Sequence, residues 1–421
     1  MRVVILGSRD GAEGLECREA ASADAAARHL NQEGWLSTPK QGRGSVDSRA
    51  CGPWIATARS ADLLITVDLS ALEACELQGL VSDVHVLSKL EDEIFEGQGP
   101  RQQELLGRSR AILALHEDDV RRLRGWGRFP MLLGPDVDEV DAWPNTSVLG
   151  AGQLGAWLSQ RAAKGHDALS LDSAFRLAVP HVASDLKALE EWCLTSAGRV
   201  QTVNLQHVFL ASRSIYFREL ISSADLVTAD GWPIVELLEG GDRPVKRVTG
   251  ADLVMNVLEH PLAKGARLAL IGGAHAPGEA FEAAAEQAGA ALVMREHGDK
   301  ADWDPALLAG QMNERRVRLA LVAVTQPAGD QLAAALVEAG YAGAVIGIGA
   351  AVELHVGSER RASSVLQWLR LEWFFRFLQD PKRLWRRYFI EGIPTYIQLV
   401  RPMARARRLP GSAEGLSKNL T

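Results

Sequence analysis

The chain has 421 residues and a formal net charge of −7, so it is long enough for two or three domains of ordinary globular composition. It has no run of eighteen apolar residues, which excludes a bilayer-spanning helix, and its first apolar stretch is too short for a signal peptide. Residues 370–408 hold ten basic and three acidic side chains (+7), which leaves −14 for the rest and argues against general nucleic-acid binding.

The first part of the chain alternates short apolar runs with stretches of helical composition. The predicted strands are residues 2–6, 62–68, 84–87, 111–115 and 130–133, and the predicted helices are residues 21–31, 69–80, 117–123 and 151–163. This alternation predicts parallel strands joined by crossover helices. A polar linker at residues 162–167 ends this N-terminal α/β domain, which we assign to residues 1–167.

The second part of the chain repeats the same alternation. The predicted strands are residues 201–203, 225–228, 266–272, 290–294, 319–324 and 343–348, and the predicted helices are residues 184–193, 212–222, 251–259, 277–288, 305–314 and 330–339. We therefore predict an α/β fold with two Rossmann-like parallel-sheet domains, the second over residues 168–362. A helical appendage is predicted at residues 363–400, and a disordered tail at 401–421, which is rich in Pro, Arg, Gly and Ser.

Cysteine and histidine spacing indicates neither a disulfide framework nor a metal site. The four cysteines, which lie far apart and lack C-x-x-C spacing, are Cys17, Cys51, Cys75 and Cys193. We therefore expect buried free thiols and a cytoplasmic protein. The histidines lack the spacing of metal ligands. His207 is close enough to Asn204 to touch a substrate, but such a histidine more often has its hydrogen bonds satisfied on a helix.

The appendage interleaves arginines with aromatic side chains. Arg376, Arg383 and Arg386 are seven and then three residues apart, which brings them toward one side of a helix broken once at Pro381. A guanidinium pairs its planar fork of donors with phosphate oxygens, and aromatic side chains suit a surface that is apolar at one end and wet at the other. We expect this segment to bind a pyrophosphate compound at or near a membrane. A solvated charged helix is the alternative.

Three places in the second domain concentrate polar or glycine residues where a predicted strand ends, which is where open parallel sheets bind ligands. They are Thr202-Val-Asn204, Ala229-Asp230-Gly231 and Leu270-Ile-Gly272-Gly273. Each alone is a weak signal, because Asp-Gly is usually only a turn and Gly-Gly usually only a loop.

These motifs stand in one order with several others along the second half of the chain. The series is Thr202-x-Asn204; Phe217-Arg218; Ala224-Asp225; Ala229-Asp230-Gly231; Arg247-Val-Thr-Gly250-x-Asp252; Leu270-Ile-Gly272-Gly273; Gly347-x-Gly349; Gly357 with Arg361-Ala362; and Leu371-Glu-Trp373, Arg376, Pro381, Arg383-Leu384 and Arg386-Arg387-Tyr388. In this order the motifs resemble the WecG/TagA/CpsF family of bacterial glycosyltransferases. The motifs at residues 371–388, in the appendage, are the most specific of them.

The resemblance implies an inverting, metal-independent hexosyltransferase that needs no cofactor. The implied donor is a UDP-sugar, often an N-acetylmannosamine, and the acceptor is a prenyl-diphosphate-linked sugar. The enzyme would bind the inner face of the cell membrane through its appendage, during envelope polysaccharide or exopolysaccharide biosynthesis. The resemblance does not decide whether the protein forms a homo-oligomer.

The resemblance also assigns roles to individual residues. It makes Asp230 the catalytic base, which removes the proton of the acceptor hydroxyl. The implied substrate-binding residues are Thr202, Asn204, Arg247, Gly250, Asp252, Gly272, Gly273, Gly347, Gly349, Arg376, Arg383 and Arg386. Structural ion pairs are the alternative for Arg247 and Asp252.

Two features depart from the family. Where the family has Pro-Lys-Gln-Glu, this chain has Pro327-Ala-Gly329-Asp330, so a glycine stands where a substrate-contacting Gln is expected. The N-terminal domain, which small members lack, faintly resembles the acceptor half of two-domain glycosyltransferases, and we expect it to be degenerate and non-catalytic. The alternative functions are a non-catalytic sugar-nucleotide-binding or polysaccharide-assembly protein that keeps the fold, and a sugar-diphosphate hydrolase.

Overall fold

The chain folds as two compact units. The first consists of Met1–Leu169 with the short segments Ser214–Tyr216 and Asp299–Leu307, and the second of Ser170–Arg213, Phe217–Gly298 and Leu308–Thr421. The structure is a computed structural model. It describes residues 1–8, 15–32, 54–67, 69–87, 102, 105–106, 109–126, 128–134, 148–150, 153–162, 169–183, 185–239, 245–349, 375, 377–378 and 381–407.

The first unit is built on a seven-stranded sheet. Its strands are β1 (Val3–Ser8), β2 (Leu15–Ala20), β3 (Leu63–Val67), β4 (Ser82–Leu87), β5 (Ser109–Ala114), β6 (Met131–Gly134) and β7 (Val148–Gly150). The order is β2-β1-β3-β4-β5-β6-β7; β2 runs antiparallel to β1, and every other neighbouring pair is parallel. The described residues of this unit thus confirm the predicted parallel α/β fold class.

Helices surround this sheet. They are α1 (Ala23–Gln32), α2 (Trp54–Arg59), α3 (Leu69–Leu77), α4 (Glu117–Gly125) and α5 (Leu154–Gln160). The central strands β3 and β4 are buried along their whole length, as parallel strands covered on both faces are. The sequence-based strands missed β2 and β7, which form the two edges. β2 carries charged residues, and its Glu19 is exposed and paired with Arg2 at 2.9 Å, so it lacks the apolar run that marks a central strand.

The second unit is built on a six-stranded parallel sheet. Its strands are β8 (Gly198–Val203), β9 (Leu226–Ala229), β10 (Arg267–Gly272), β11 (Ala291–Glu296), β12 (Leu319–Ala323) and β13 (Ala344–Gly347), in the order β11-β10-β12-β13-β8-β9. All five neighbouring pairs are parallel. The carboxyl ends of all six strands therefore lie along one edge, the usual place for a ligand in an open α/β sheet.

Helices connect these strands and bury them. They are α6 (Leu171–Ala178), α7 (Leu186–Thr195), α8 (Leu205–Arg213), α9 (Ile215–Ser222), α10 (Trp232–Leu238), α11 (Gly250–Glu259), α12 (His275–Gln287), α13 (Pro305–Glu314) and α14 (Ala328–Glu338). One apolar cluster joins α11 to β10 and β12 through side chains such as Leu253, Leu270 and Leu321. A second joins α9 and α10 to β9 through Phe217, Ile234 and Val227.

The helix predicted over residues 212–222 is confirmed as α9, but its start is wrong: α9 begins at Ile215 and is separated at Ser214 from α8, which was not predicted. The break is stabilised by Arg218, whose Nε donates to Ala211 O at 2.6 Å and whose guanidinium also donates to Ser212 O at 3.2 Å. These carbonyls lie in the last turn of α8, where a helix leaves acceptors without an internal partner.

A C-terminal helical segment (residues 381–407) closes the second unit. It runs as α15 (Pro381–Trp385), a π-helical turn (Arg386–Gly392), α16 (Ile393–Thr395), a second π-helical turn (Tyr396–Val400) and α17 (Arg401–Arg407). The predicted disorder from Arg401 is therefore wrong as far as Arg407, because Val400 and Ala404 are fully buried and Met403 packs on the cluster around Phe217. Residues 408–421 lie outside the described residues.

Candidate active site

The first two strands of the second unit end side by side. Val203 pairs with Ala229, so the next residues, Asn204 and Asp230, leave the sheet at the same edge. The backbone N–H of Asp230 donates to Val203 O at 2.7 Å, which holds the turn against the end of β8. Gly231 follows with φ +118°, a conformation that side chains rarely allow. The Asp-Gly turn thus sets the half-buried Asp230 beside Asn204.

Thr202 ties β8 to the end of β13. Its hydroxyl donates to Gly347 O at 2.9 Å, and the side chain is buried. The hydroxyl proton is therefore used within the protein, and only the oxygen lone pairs remain to accept from a ligand. Asn204 is half-buried, and its Oδ1 accepts from the Gln206 N–H at 3.0 Å. This bond uses one lone pair of the amide oxygen, and the amide N–H₂ can donate to a ligand.

The segment before α11 reaches the same edge from the other side of β9. Val248 N–H donates to Ala229 O at 3.0 Å, and Arg247 forms a parallel bridge with Ala229. The half-buried Arg247 is thereby brought next to the strand that ends at Asp230. Arg247 thus brings a cation to the carboxyl edge of the sheet.

Asp252 takes part in the cap of α11. Its backbone N–H donates to Thr249 Oγ1 at 3.1 Å, and the Thr249 hydroxyl donates back to Asp252 Oδ2 at 2.8 Å. This reciprocal pair satisfies the first turn of the helix. Asp252 therefore has a clear structural role beside the predicted contact with substrate.

Three of the predicted glycines lie where α11 meets the end of β13. A Cβ on Gly250 would stand 3.6 Å from the Cα of Ile348, and Gly347 supplies the carbonyl that Thr202 binds. Gly349 has φ +51° and turns the chain out of the strand. The structure thus brings Gly250, Gly347 and Gly349 together with Thr202.

Gly272 and Gly273 form a tight turn after β10. Both have positive φ, +85° and +77°. A Cβ on Gly272 would lie 2.8 Å from Ala323 O and 2.7 Å from Val324 Cγ2, so the turn passes directly over the end of β12. Only glycine fits this approach without a shift of the backbone. The turn belongs to the same edge of the sheet but lies over β10 and β12, whereas Asp230 follows β9 at its far end.

The divergent stretch 326–330 starts α14 after a cis peptide bond between Gln326 and Pro327. A Cβ on Gly329 would collide with the carbonyl oxygen of Val324, so no side chain fits there without a shift of the backbone. Asp330, in contrast, is buried and points into the protein, where its Oδ1 accepts from Gln201 Nε2 at 2.7 Å.

His207 completes a buried polar network with Asp330. Its Nε2 lies 3.3 Å from Asp330 Oδ2, and its Nδ1 accepts from the Asn204 backbone N–H at 3.0 Å. Burial alone raises the pKa of Asp330, but its interactions with His207 and Gln201 and the charge of Arg199 together bring that pKa below its ordinary value. Arg199 donates in turn to Gln201 Oε1. The expectation of a satisfied histidine on a helix agrees with these contacts.

The tail arginines are described only in part. Arg376 and the side chain of Arg383 lie outside the described residues. The Nε of the exposed Arg386 pairs with Glu391 Oε1 at 3.2 Å, and Glu391 Oε2 accepts from Gln206 Nε2 at 2.9 Å. Gln206 is two residues beyond Asn204, so this chain of contacts links Arg386 to the strand edge that carries Asp230.

The tail also contacts α10 and stacks its own aromatic rings. The Tyr396 hydroxyl donates to Glu236 Oε2 at 2.9 Å, and the rings of Trp385 and Phe389 stack at 4.5 Å between centroids. Among the described residues, no helix combines the length and apolarity needed to cross a bilayer. No group of three or more His, Cys, Asp or Glu side chains within the described ranges could hold a metal ion.

Sequence reasoning missed the part that lies beneath the site. Gln201 was read only as a strand residue and Asp330 only as the end of an altered motif. Their contact spans 129 positions of the chain, and it depends on β8 and β13 being neighbours. The one local signal is a buried acidic residue near the start of a mostly apolar helix that follows a buried strand.

Comparison with known proteins identifies the family. Residues 174–409 match the Glycosyl transferase WecG/TagA/CpsF family. The N-acetylglucosaminyldiphosphoundecaprenol N-acetyl-beta-D-mannosaminyltransferase of Staphylococcus aureus (strain MRSA252) is 23% identical over 210 residues, which is 50% of this chain and 80% of that protein. The enzyme of the same name from strain MW2 is 22% identical over the same share of both chains. The family match spans more than half of the chain and includes the edge built by Thr202, Asn204 and Asp230, so this protein belongs to the WecG/TagA/CpsF family and is a glycosyltransferase.

Proposed function

We propose that the protein transfers a hexose, such as N-acetylmannosamine, from a UDP-sugar to a prenyl-diphosphate-linked sugar, with inversion and without a metal ion. The observation that carries the proposal is the shared strand edge, where Asn204 and Asp230 leave β8 and β9 next to each other. The named Staphylococcus aureus relatives, which transfer N-acetylmannosamine to a diphosphoundecaprenol-linked sugar, support this choice of acceptor and transferred sugar.

Asp230 acts as the general base of a single displacement. Its carboxylate takes the proton of the acceptor hydroxyl while that oxygen bonds to the anomeric carbon of the donor. The bond from the anomeric carbon to the UDP oxygen breaks on the opposite face, so the configuration inverts. Asn204 orients the sugar through its amide N–H₂, since its amide oxygen is bound by Gln206.

The leaving UDP needs positive charge, because its diphosphate gains charge as the bond breaks. Arg247, whose backbone bridges to Ala229 beside the base, is one candidate, and Arg386 is linked to the same edge through Glu391, which also accepts from Gln206. The Gly272-Gly273 turn lets the backbone approach a nucleotide closely. Gly329 has no side chain where the family carries a Gln, so the donor is recognised by other groups here.

The C-terminal helical segment (residues 381–407) is proposed to lie on the cytoplasmic face of the membrane that carries the acceptor. Large apolar side chains are exposed along it, among them Ile390 (59%) and Ile397 (54%). Lys382, Arg401 and Arg405 are exposed on the same segment and suit anionic lipid headgroups.

The transfer is tested with a panel of UDP-sugars and a short-chain prenyl-diphosphate-sugar acceptor. Wild type should form the disaccharide product. The rate of Asp230→Asn should be about 10²–10⁴-fold lower, which is the usual contribution of a general base. Asp185→Asn is the matched control, because it makes the same chemical change at the cap of α7, where an asparagine can also accept from Lys187 N.

Two other outcomes would reject the proposal. Binding of UDP-sugar without turnover, with every donor tested, would favour the non-catalytic alternative. Gly329 supports that alternative because it lacks the side chain of the Gln that contacts substrate in the family. Free sugar released without acceptor would identify a hydrolase.

Membrane binding is tested separately by sedimentation with anionic vesicles. Ile390→Ser with Ile397→Ser should release the protein, whereas Leu262→Ser, an exposed apolar residue outside the segment (47%), should not. Equal binding of the three proteins would contradict the assignment of this surface.

A further inference from the structure

A buried polar network lies beneath the proposed site and is not used by the proposed chemistry. Its members are Arg199 and Gln201 on β8, His207 on α8 and Asp330 on α14, and none is more than 4% exposed. Four buried polar side chains are costly to the fold unless their hydrogen bonds are made. Their contacts form one connected path that ends at Asn204.

The path begins with a fixed amide orientation. Arg199 has only donors, and it donates to Gln201 Oε1, so the Gln201 N–H₂ group must face Asp330. Gln201 Nε2 donates to Asp330 Oδ1 at 2.7 Å and also lies 2.9 Å from His207 Nε2, which is 3.3 Å from Asp330 Oδ2. Gln201 and His207 therefore contact each other as well as the carboxylate.

The other side of the imidazole ring faces Asn204. His207 Nδ1 lies 3.0 Å from the backbone nitrogen of Asn204, whose N–H can only donate. Nδ1 is also 3.1 Å from Asn204 Oδ1, the oxygen that accepts from Gln206 N–H. The ring thus spans the distance between the Asp330 carboxylate and the turn that orients the Asn204 amide.

Asp330 also lies against the other substrate-facing group of β8. A Cβ on Gly347 would stand 3.3 Å from Asp330 Oδ1, and the carbonyl of Gly347 is the acceptor for Thr202. The Asp330 carboxylate therefore lies next to groups that contact both Thr202 and Asn204 at the end of β8.

We propose that Asp330 is a positioning residue, which acts through His207 to hold Asn204 in the orientation that contacts the sugar. This inference rests on the proposed transfer, in which Asn204 binds the sugar. It also gives the divergent motif a role: the chain lacks a side chain at Gly329 but keeps at Asp330 a carboxylate that supports the site from below.

A double-mutant cycle tests the relay. We expect Asp330→Asn to lower kcat/KM about tenfold or more in the wild-type background but less than about threefold in the Asn204→Ala background, because the residue through which Asp330 acts is then missing. A purely structural role predicts that the two losses multiply, and that result would overturn the proposal.

Hydrogen exchange provides a second measurement that does not depend on turnover. Asp330→Asn should speed exchange of the amides over residues 204–207, where the Asn204 N–H is bound by His207. Tyr341→Phe is the matched control, because it removes one buried hydrogen bond, from Tyr341 to Val317 O at 3.1 Å, at the opposite end of the strands. Unchanged exchange over residues 204–207 in Asp330→Asn would overturn the proposal whether or not the protein transfers sugar.

If Asp330→Asn does not fold, His207→Gln tests the same path. The glutamine amide can reach Asp330 in place of Nε2 but leaves the Asn204 N–H without Nδ1. The same loss of kcat/KM and the same faster exchange are expected, and normal values for both would reject the relay. A wild type that transfers no sugar rejects the proposed function, while the exchange measurement still decides whether Asp330 positions Asn204.

Discussion

Gly272→Ala measures how closely the glycine turn after β10 approaches the end of β12. At φ +85° an alanine costs roughly 1–2 kcal/mol for the left-handed backbone alone. The added Cβ would also lie 2.8 Å from Ala323 O and 2.7 Å from Val324 Cγ2. Relief of such crowding typically costs about 1–3 kcal/mol more. We expect a total loss of about 2–5 kcal/mol in the free energy of unfolding of the second unit.

Gly340→Ala separates the two contributions. Gly340 has nearly the same backbone angle, φ +86°, but no heavy atom lies within 4 Å of an added Cβ. This control should therefore lose only the roughly 1–2 kcal/mol of backbone strain. Because a chain of two units need not unfold in one step, the assay is urea-dependent hydrogen exchange of peptides from β10 and β12.

The comparison has a clear failure point. If Gly272→Ala and Gly340→Ala are equally destabilised, crowding at the end of β12 does not exist and the geometry assigned to the turn is wrong. Gly272→Ala should also weaken UDP binding, measured by calorimetry, since the backbone must move to admit the methyl group. Gly340→Ala should leave the UDP affinity unchanged.

Three further predictions concern single residues. Burial raises the pKa of the Cys75 and Cys193 thiols to about 12, so neither should react with a thiol reagent at pH 8 until the protein is unfolded; labelling followed by mass spectrometry checks this. Thr249→Ala should cost about 1 kcal/mol in thermal unfolding through loss of the α11 cap, while Thr249→Ser should cost little, and equal losses would contradict the capping role. Because the pKa of Asp330 is lowered in the folded state, its carboxylate stabilises the fold fully above the ordinary pKa of an aspartate, and this contribution is lost as the pH falls through the folded-state pKa. The free energies of unfolding of wild type and Asp330→Asn should therefore converge in acid. A constant difference between pH 7 and pH 3 would refute this.

The parallel strands and the Asp-Gly turn could be predicted because their signals are local. Buried parallel strands read as short apolar runs, and an aspartate followed by glycine after such a run indicates a turn at a strand end. The start of the helix predicted over residues 212–222 was wrong because the break at Ser214 depends on Arg218, which binds carbonyls of the preceding turn, and helix propensity does not record that contact.

The polar network beneath the site could not be predicted for a different reason. Gln201 and Asp330 meet only because β13 lies next to β8, and strand order follows from the packing of the whole sheet. A single sequence shows each residue separately, as a polar residue in a strand and an acid in a helix. The helix at Arg401–Arg407 was missed for a related reason, since its stability comes from the burial of Ala404 and Met403 against the second unit.

The pairing of β8 with β13 has a consequence for synthesis of the chain. These are the first and last strands of the second sheet, and the bond from Thr202 to Gly347 joins residues 145 positions apart. At a translation speed of about 5–20 residues per second, the nascent chain waits about 7–30 s between the two strands. During that time the edge of β8 that will receive β13 is open, with its buried Arg199 and Gln201 lacking Asp330. A message truncated before β13 would therefore yield a product with an incomplete sheet and an unpaired edge on β8, which is prone to aggregate.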